Sequence, residues 1–424
     1  MPGRALTPQD CYQLINLISK EVEGLDQNLT AVDTSSFVSV GESILRAGTE
    51  NTLNAISLVV GRTLIAVRPY EAKLRIVNTL NSGLFSNRVR KISYLSRQAQ
   101  PSGAFNTDLY INHAMGYDNG SNSGNSVGTM WEQNQPVPVE LNFAGSSVWD
   151  ESTTIYEDQL QQAFANEANF ARFMEGVLTE KGNDIEQGKE NFNRATLLNY
   201  MAGLYDLQDD LDNANIPAEL AVNCTAAFNS DNGGTTLSTA QLLTTNFKEF
   251  LEWFVAFIRK LSDRLTYRNA LYHVPVSKTI NGVTYHLLRH TPKSKQKLIL
   301  YKPLFIDAEA KVLPEIFHDE KLQMSNYEGV DFWQNYGLPE GISVTPAIRD
   351  ITDLTTQKAG DPVTLDTVLG VLYDEDAMMV DYQMDSAYST PVEARKRYRN
   401  IWWHFRKNSI NDFTENGVLL YMAD

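Results

Sequence analysis

Three stretches at the carboxyl-terminal end of the sequence decide the fold: residues 368–391 (VLGVLYDEDAMMVDYQMDSAYSTP), residues 394–413 (ARKRYRNIWWHFRKNSINDF) and Gly417–Met422 (GVLLYM). In the first stretch, an apolar run over 368–373 precedes a segment, 377–388, in which large apolar and polar side chains alternate. A period of two is typical of a strand with one buried face. The sequence Asp374-Glu375-Asp376 between them predicts a hairpin turn, because aspartate tolerates turn backbone conformations.

The other two stretches predict two further strands, which we expect to join the hairpin in one sheet. Residues 395–406 interleave cations with aromatic side chains, and Gly417–Met422 is an apolar run. This order of a hairpin, an aromatic and basic strand, a polar connector and an apolar strand resembles the end of the peripheral domain in major capsid proteins of tailed phages. These proteins share the Hong Kong 97 fold, and the resemblance is greatest to the shell proteins of short-tailed phages.

Composition is that of a globular protein of two or three domains. The chain has 424 residues, of which 42% are hydrophobic and 21% charged. A formal net charge of -16 weighs against a dedicated nucleic-acid binder, but it suits the wall of a container for DNA. The two cysteines, Cys11 and Cys224, lack metal-ligand spacing. We expect no signal peptide and no membrane-spanning segment.

The amino-terminal region is predicted to form a helical arm. Thr7-Pro8-Gln9-Asp10 is a typical helix start, with threonine as the N-cap and proline in the first turn. Residues 37–46 and 51–67 predict two more helices, and 73–79 a short strand. Because only some thirty-five residues precede the helix beginning at Phe37, we expect no built-in scaffolding segment and therefore a separate scaffolding protein.

Two extended segments, 88–96 and 137–149, flank a region whose centre, 116–128, is almost entirely Gly, Ser and Asn. One interpretation is a disordered loop or a linker between domains. The other is a two-stranded arm that becomes ordered on a neighbouring subunit, since long structureless loops are uncommon in compact domains. The resemblance favours the second interpretation, because the extended loop of the Hong Kong 97 fold occupies this place.

A long polar helix is predicted from Asn166, its N-cap, to about Leu204. Residues 179–191 are almost wholly polar, which is typical of a helix that bridges separate bodies. An element of this length would extend roughly 55 Å. The alternative is two helices broken near Gly182 and Gly188. In the resemblance this segment corresponds to the spine helix.

The region after residue 237 predicts a second helical and sheet layer. Aromatic and aliphatic residues recur at helical spacing over 247–261, and residues 297–301 (KLILY) predict a central strand. With the segments 305–310 and 317–329, this order resembles the axial domain of the same capsid proteins. Segments 341–349 and 364–372 then lead back to the terminal sheet.

The resemblance implies an α+β, Hong Kong 97-type capsid fold with an N-terminal arm, an extended β-loop, a long spine helix, and peripheral and axial domains. We assign residues 1–70 to the N-terminal arm, 71–150 to the extended loop with a peripheral-domain strand, 151–225 to the spine helix and peripheral domain, 226–365 to the axial domain, and 366–424 to the peripheral-domain sheet.

No motif for catalysis or metal binding stands out. The histidines form no HExxH or Cys/His cluster, and nucleophile-elbow, phosphate-loop and dinucleotide motifs are absent. His286 and His290 are four residues apart, and Asp319-Glu320 and Asp374-Glu375-Asp376 are acidic, but surface histidines and solvated acidic turns explain them. The basic run 395–399 has two readings, a nucleic-acid patch or, as we favour, an amphipathic strand with aromatics on one face and cations on the other, beside Asp381 or Asp385.

The resemblance implies a structural protein rather than an enzyme, without cofactor or metal. It would be the major capsid subunit of a tailed phage, forming hexamers and pentamers of an icosahedral head around double-stranded DNA. Implied partners are other copies of the chain, a scaffolding protein, a portal protein, possible minor or decoration proteins and the packaged DNA, with assembly in the host cytoplasm. The residues expected to contact neighbouring subunits are Arg88, Arg90, Lys91, Tyr117, Asp118, Asn119, Trp131, Arg395, Arg397 and Arg399.

Two alternatives remain open from the sequence. An encapsulin-like nanocompartment shell would share the fold and hold an enzyme cargo, but the chain length, the long Gly/Ser/Asn loop and the early arm fit it less well. An acidic, aromatic-rich carbohydrate hydrolase would need two carboxylates roughly five to ten ångströms apart. No such catalytic pair is evident in the sequence.

Overall fold

The computed structural model describes residues 7–22, 29–47, 55, 77–80, 88–95, 136–144, 147–280, 283–304, 306, 327–350 and 357–424. Its helices are α1 (Pro8–Glu21), α2 (Thr34–Arg46), α3 (Glu157–Ala163), α4 (Glu167–Asn213), α5 (Cys224–Asp231), α6 (Thr239–Thr244) and α7 (Phe247–Leu265). The α+β class is confirmed. An arm of helices, a two-stranded ribbon, a long helix and two larger sheets follow one another in the order that the resemblance to the Hong Kong 97 fold implied.

The strands run through the whole described chain. They are β1 (Asn78–Leu80), β2 (Arg88–Leu95), β3 (Val137–Ala144), β4 (Ser147–Tyr156), β5 (Ala221–Asn223), β6 (Ser277–Ile280), β7 (Val283–His286), β8 (Gln296–Tyr301), β9 (Tyr327–Val330), β10 (Ile342–Val344), β11 (Ala347–Arg349), β12 (Gln357–Ala359), β13 (Val363–Leu365), β14 (Thr367–Asp374), β15 (Met378–Ser389), β16 (Tyr398–Asn411) and β17 (Gly417–Met422). Two sheets, of five and of four strands, organise the molecule, and the other strands form two-stranded pairs.

The five-stranded sheet has the order β5-β17-β14-β8-β9 and is covered on both faces. One face packs against the carboxyl-terminal half of helix α4 in an apolar cluster that includes Ile299 of β8. The other face packs against α5 and α7, whose Phe250 and Phe254 are fully buried. Every residue of β8 is buried, so the prediction of a central strand at residues 297–301 is confirmed.

The four-stranded sheet has the order β1-β15-β16-β4. Its inner face carries Ile401 and Trp403 into a second apolar cluster with α1, α2 and the first turns of α4. The helix start predicted at Thr7 is present, since its side chain accepts a hydrogen bond from the Asp10 amide. The helix predicted at 37–46 is also present, but it begins at Thr34, with Asp33 as its N-cap. The helix predicted at 51–67 and most of the strand predicted at 73–79 lie outside the described residues, and β1 begins only at Asn78.

The hairpin predicted around Asp374 is wrong. Strand β14 pairs with β8 and β17 in the five-stranded sheet, whereas β15 pairs with β16 and β1 in the four-stranded sheet. The acidic segment passes from one sheet to the other, and the buried Asp374 carboxylate accepts a hydrogen bond from the Thr291 hydroxyl at 2.7 Å. Strand β17 therefore does not close the sheet of the aromatic and basic strand, so residues 366–424 contribute to both sheets. The remaining domain boundaries stay a prediction.

The long helix α4 is a single element of 47 residues. Asn166 is its N-cap as predicted, accepting a hydrogen bond from the Asn169 amide, and no break occurs at Gly182 or Gly188. Its length is about 70 Å. The polar middle, 179–191, lies on the inner face of the four-stranded sheet, where the Tyr382 hydroxyl donates to the Lys189 carbonyl oxygen at 2.7 Å. The part of this face that lies against the middle of the helix carries polar side chains, among them Tyr382 and Lys407 beside Gly188, whereas Ile401 and Trp403 face the first turns of the helix.

Candidate assembly surfaces

Strands β2 and β3 form an antiparallel ribbon, registered from Arg88 opposite Ala144 to Leu95 opposite Val137. We call this pair the ribbon. Its inner face is buried against the rest of the chain: Leu95 packs on the β6–β7 pair, and Phe143 packs on Ile410 of β16. The prediction of two extended segments here is confirmed in part. The second, 137–149, divides between the ribbon and strand β4 of another sheet.

An ion cluster fixes the base of the ribbon. Lys91 Nζ lies 2.6 Å from the Asp412 Oδ2 and 2.6 Å from the Glu415 Oε1, and Arg289 Nη2 lies 3.0 Å from that same Glu415 oxygen. Arg289 also donates to the Ser93 hydroxyl at 2.8 Å. The cluster joins the ribbon to the turn between β16 and β17.

The pKa values of the two carboxyl groups in this cluster are shifted in opposite directions. Burial alone would raise the pKa of the Asp412 carboxyl, but Lys91 and the Thr414 hydroxyl lower it below its ordinary value. Burial also acts on Glu415, and there it prevails over Lys91 and Arg289, so the Glu415 pKa is raised. Asp412 is therefore the carboxylate whose charge the fold stabilises most.

The outer face of the ribbon is open and partly apolar. Ile92 is 47% exposed and Tyr94 is 65% exposed, and the exposed Pro138 lies opposite Tyr94 in the register. Arg90 on the same face pairs with Glu140. Since the inner face is occupied, this outer face is available to another molecule.

The four-stranded sheet also has an open region, on the face opposite Trp403. Tyr388 is 64% exposed and Tyr156 is 44% exposed. The Tyr156 ring centroid is 5.7 Å from that of Tyr398, and the Tyr388 ring centroid is 5.8 Å from that of His404. We call these four side chains, with the half-buried Trp402, the aromatic face. Aromatic side chains of this kind are enriched at protein interfaces.

The basic run contacts the chain's own residues. Arg395 is exposed, and Arg397 Nε lies 3.9 Å from the Glu157 Oε2 in the strand-to-helix corner. Arg399 is buried and donates to the Thr390 carbonyl oxygen. The carboxylate paired with Arg397 is thus Glu157. Strand β15, which carries Asp381 and Asp385, lies beside β16, and contact of the cations with those two carboxylates stays a prediction.

The predicted segregation of aromatics and cations on β16 is wrong. Arg399 shares its face with Ile401 and Trp403, while Tyr398 and Trp402 lie on the other. The Arg399 guanidinium reaches a backbone carbonyl, which allows a cation on the buried face.

The predicted contact residues fall into three groups. Tyr117, Asp118, Asn119 and Trp131 lie outside the described residues, and Arg88 is placed only as the first residue of β2. Lys91 and Arg399 are largely buried and contact groups of their own subunit, the Asp412 carboxylate and the Thr390 carbonyl oxygen respectively. This leaves Arg90, Arg395 and Arg397 as the exposed members that another subunit can reach. Their role in subunit contacts stays a prediction.

The sequence reading missed strand β4, which forms one edge of the four-stranded sheet. β4 pairs with β16 from Ser147 opposite Lys407 to Tyr156 opposite Tyr398, and no described strand pairs with its other edge. Its alternation and the Gly145-Ser146 pair before it are a turn signal that could have separated it from the ribbon.

Within the described part of the chain, no group of three His, Cys, Asp or Glu side chains is placed to hold a metal ion. His286 and His290 are both exposed, and Glu375 pairs with Lys295 at 2.9 Å. Asp319-Glu320 lies outside the described residues. No helix among these residues combines the length and the apolar character that crossing a bilayer requires.

The open surfaces of the described chain are strand edges and sheet faces. A family model described as Phi29-like phage major capsid protein matches residues 108–421. The match spans most of the sequence, and the chain belongs to this family. It is a structural subunit of a phage head shell, not an enzyme, and the hydrolase and encapsulin alternatives are not favoured.

Solved capsid structures are similar to this chain at low sequence identity. The capsid of Staphylococcus phage Andhra aligns with 10% identity over 85% of this chain and 86% of that chain, with a TM-score of 0.48. The mature capsid of bacteriophage PhiM1 aligns with 10% identity over 84% of this chain and 88% of that chain, with a TM-score of 0.40. A search of curated proteins found no match.

Proposed function

We propose that the subunit forms hexamers and pentamers of an icosahedral head of the kind that short-tailed phages build, with the ribbon lying on the next subunit. The observation that carries this proposal is the asymmetry of the ribbon. Its inner face is fixed by apolar packing and by the Lys91 ion cluster, whereas its outer face presents Ile92 and Tyr94. A two-stranded ribbon alone is marginally stable. Packing of its inner face on the rest of the subunit therefore holds the ribbon in one orientation.

A closed ring of identical subunits needs a contact between two different surfaces of the same chain. The outer face of the ribbon and the aromatic face of the four-stranded sheet are two such surfaces. The ribbon's inner face covers the sheet near Ile410, so the outer face points away from its own sheet. This arrangement supports a contact made with a neighbour rather than within the subunit.

The proposed partners beyond other copies are a scaffolding protein, a portal protein at one vertex and minor or decoration proteins, with assembly in the host cytoplasm. Family membership supports these proposals. The net charge of -16 supports a shell that encloses double-stranded DNA without binding its phosphates.

Negative-stain microscopy with mass determination by size exclusion tests the proposal, on the purified chain alone and with a scaffolding protein. We expect closed shells, rings or tubes. The double variant Ile92→Glu with Tyr94→Glu should remain unassembled, because it places charge in the proposed ribbon contact. The matched control is Tyr267→Glu, which changes a tyrosine that is 73% exposed and distant in sequence. Monomers or dimers under every condition would contradict the proposal.

A further inference from the structure

The open edge of strand β4 has a defined set of backbone groups. The Glu157 amide donates to the Arg397 carbonyl at 3.0 Å, next to the paired residues Tyr156 and Tyr398. In an antiparallel pair, alternate residues direct their backbone groups to the same neighbour. Residues 155, 153, 151 and 149 therefore bond to β16. The alternate residues direct their N–H and C=O groups to the open edge: Val148, Asp150, Ser152, Thr154 and Tyr156.

Two buried polar atoms on this strand lack a partner. Glu151 Oε2 and Thr153 Oγ1 are inaccessible to solvent and make no hydrogen bond within the described part of the chain. Both side chains lie on the inner face of the sheet, two residues apart. Burial raises the pKa of the Glu151 carboxyl. A buried acceptor and a buried hydroxyl donor without partners are costly. Both side chains are only half-buried, so a change of rotamer that brings these atoms to the open edge, where a partner can bond them, would be favourable.

We propose that two copies of this chain pair antiparallel through strand β4, about a two-fold axis at Ser152. The two four-stranded sheets then form one continuous sheet across the axis. In this register Glu151 lies opposite the partner's Thr153. Once both side chains turn toward the edge, the Thr153 hydroxyl donates to the Glu151 carboxylate on each side of the axis. This inference rests on the proposed self-assembly and names one of its contacts.

The register is selected by the side chains. Pairing must place the outward backbone groups opposite one another, which any two-fold axis at a residue of the strand does; the axes at residues 150–153 pair the most residues. An axis at residue 150 would place each Glu151 against the partner's Trp149 and leave the Thr153 hydroxyl without that carboxylate. An axis at Glu151 would set two carboxylates directly opposite, which is destabilising. An axis at Thr153 would place each Glu151 against the partner's Ile155 and leave the carboxylate without a donor. Only the axis at Ser152 pairs both orphan atoms.

The same register pairs the apolar ends of the strand. Trp149 lies opposite the partner's Ile155 on the inner face, and Val148 lies opposite the partner's Tyr156 on the outer face. Val148 and Trp149 are largely exposed in the single subunit. Asp150 meets Thr154, so no like charges face each other. Glu151 and the partner's Thr153 form a pair without backbone hydrogen bonds between the two copies, and side chains approach most closely in pairs of this kind. The strand is therefore self-complementary, which is what a two-fold contact requires.

A symmetric disulfide tests the pairing on assembled particles. At the axis, Ser152 and its copy would have Cα atoms about 5.5 Å apart, within disulfide range. We expect Ser152→Cys particles, on mild oxidation, to shift from monomer to covalent dimer on a non-reducing gel, with a peptide map showing a 152–152 link. The matched control is Thr154→Cys on the same edge, whose copies would be about 14 Å apart and should stay monomeric. The native cysteines, Cys11 and Cys224, are buried.

A second pair of variants tests the backbone contact. Ser152→Pro removes an amide that faces the open edge, so the fold of the single subunit should persist while particles fail to close. Ser152→Thr keeps the amide and should assemble as the parent does. Particles that form with Ser152→Cys but link no more than those with Thr154→Cys would overturn this inference and leave self-assembly standing. Links to Cys11 or Cys224 would overturn it too. If the parent chain forms no particles at all, the proposed function fails, and this inference with it.

Discussion

The two large sheets differ in how they treat their edges and faces. The five-stranded sheet is covered on both faces, and its edge strands β5 and β9 have only 3 and 4 residues. The four-stranded sheet has one helix-covered face, an open aromatic face and an edge strand, β4, of 10 residues. Short edge strands prevent pairing with other chains, whereas a long open edge invites it. The five-stranded sheet therefore contributes to the stability of the subunit, whereas the four-stranded sheet also offers surfaces for association with other subunits.

The largest loss of unfolding free energy is expected from a substitution in the five-stranded sheet. Ile299→Ala removes a fully buried side chain from between β8 and helix α4. We expect a loss of about 3 kcal/mol in the free energy of unfolding, because a cavity remains in a covered core. Urea denaturation of the unassembled subunit measures it. A loss below about 0.5 kcal/mol would show that this sheet is not the stable body.

The second largest loss of unfolding free energy is expected in the ion cluster that joins the ribbon to the rest of the subunit. Lys91→Met leaves the Asp412 carboxylate, whose side chain is 1% exposed, without its cation. Breaking a fully buried pair costs about 3–5 kcal/mol, and the 20% exposure of the Lys91 side chain reduces this to about 2 kcal/mol. Arg90→Met is the control, because its ion pair is exposed and worth less than about 1 kcal/mol. Equal losses in both variants would refute the distinction.

Acid should weaken the same cluster. The folded pKa of Asp412 is lowered, so its contribution is present above the unfolded pKa of about 3.9 and is lost as the pH falls further. The raised pKa of Glu415 acts in the opposite direction, adding stability as the pH falls toward its ordinary range. We expect unfolding free energies measured below about pH 4 to fall less steeply in Asp412→Asn than in the parent chain. Identical slopes would contradict this account.

The smallest effect on stability is expected at the aromatic face. Tyr388→Ser changes an exposed side chain, so the free energy of unfolding should move by less than about 0.5 kcal/mol. Assembly should nevertheless weaken, because a subunit surface loses its aromatic contact. Light scattering during assembly and urea denaturation measure the two quantities separately. A variant that assembles normally would remove Tyr388 from the interface.

Local features of the fold were predictable because they depend on neighbouring residues. The cap at Thr7, the cap at Asn166 and the buried stripe on α7 follow from capping chemistry and helical spacing, and all three are present. The unbroken α4 was less certain from the sequence, since its polar middle is explained only by the polar sheet surface beneath it.

The pairing of strands was not predictable in the same way. Residues 367–374 and 378–389 are adjacent in sequence, yet they belong to different sheets. A difference in pattern was present: β14 is apolar almost throughout, as a strand covered on both faces should be, while β15 alternates. The edge role of β4 depends on partners distant in sequence. The ion cluster likewise joins residues 91, 289, 412 and 415, which no local pattern connects.

Hydrogen–deuterium exchange on unassembled subunits and on assembled shells tests the central claim most directly. If the four-stranded sheet carries association, the outward amides of β4, including Ser152 and Thr154, should exchange quickly in the subunit and become protected in the shell. Amides of β8 and β14 should be protected in both states, because their sheet is complete within one chain. New protection confined to the five-stranded sheet, with β4 unchanged, would contradict this account.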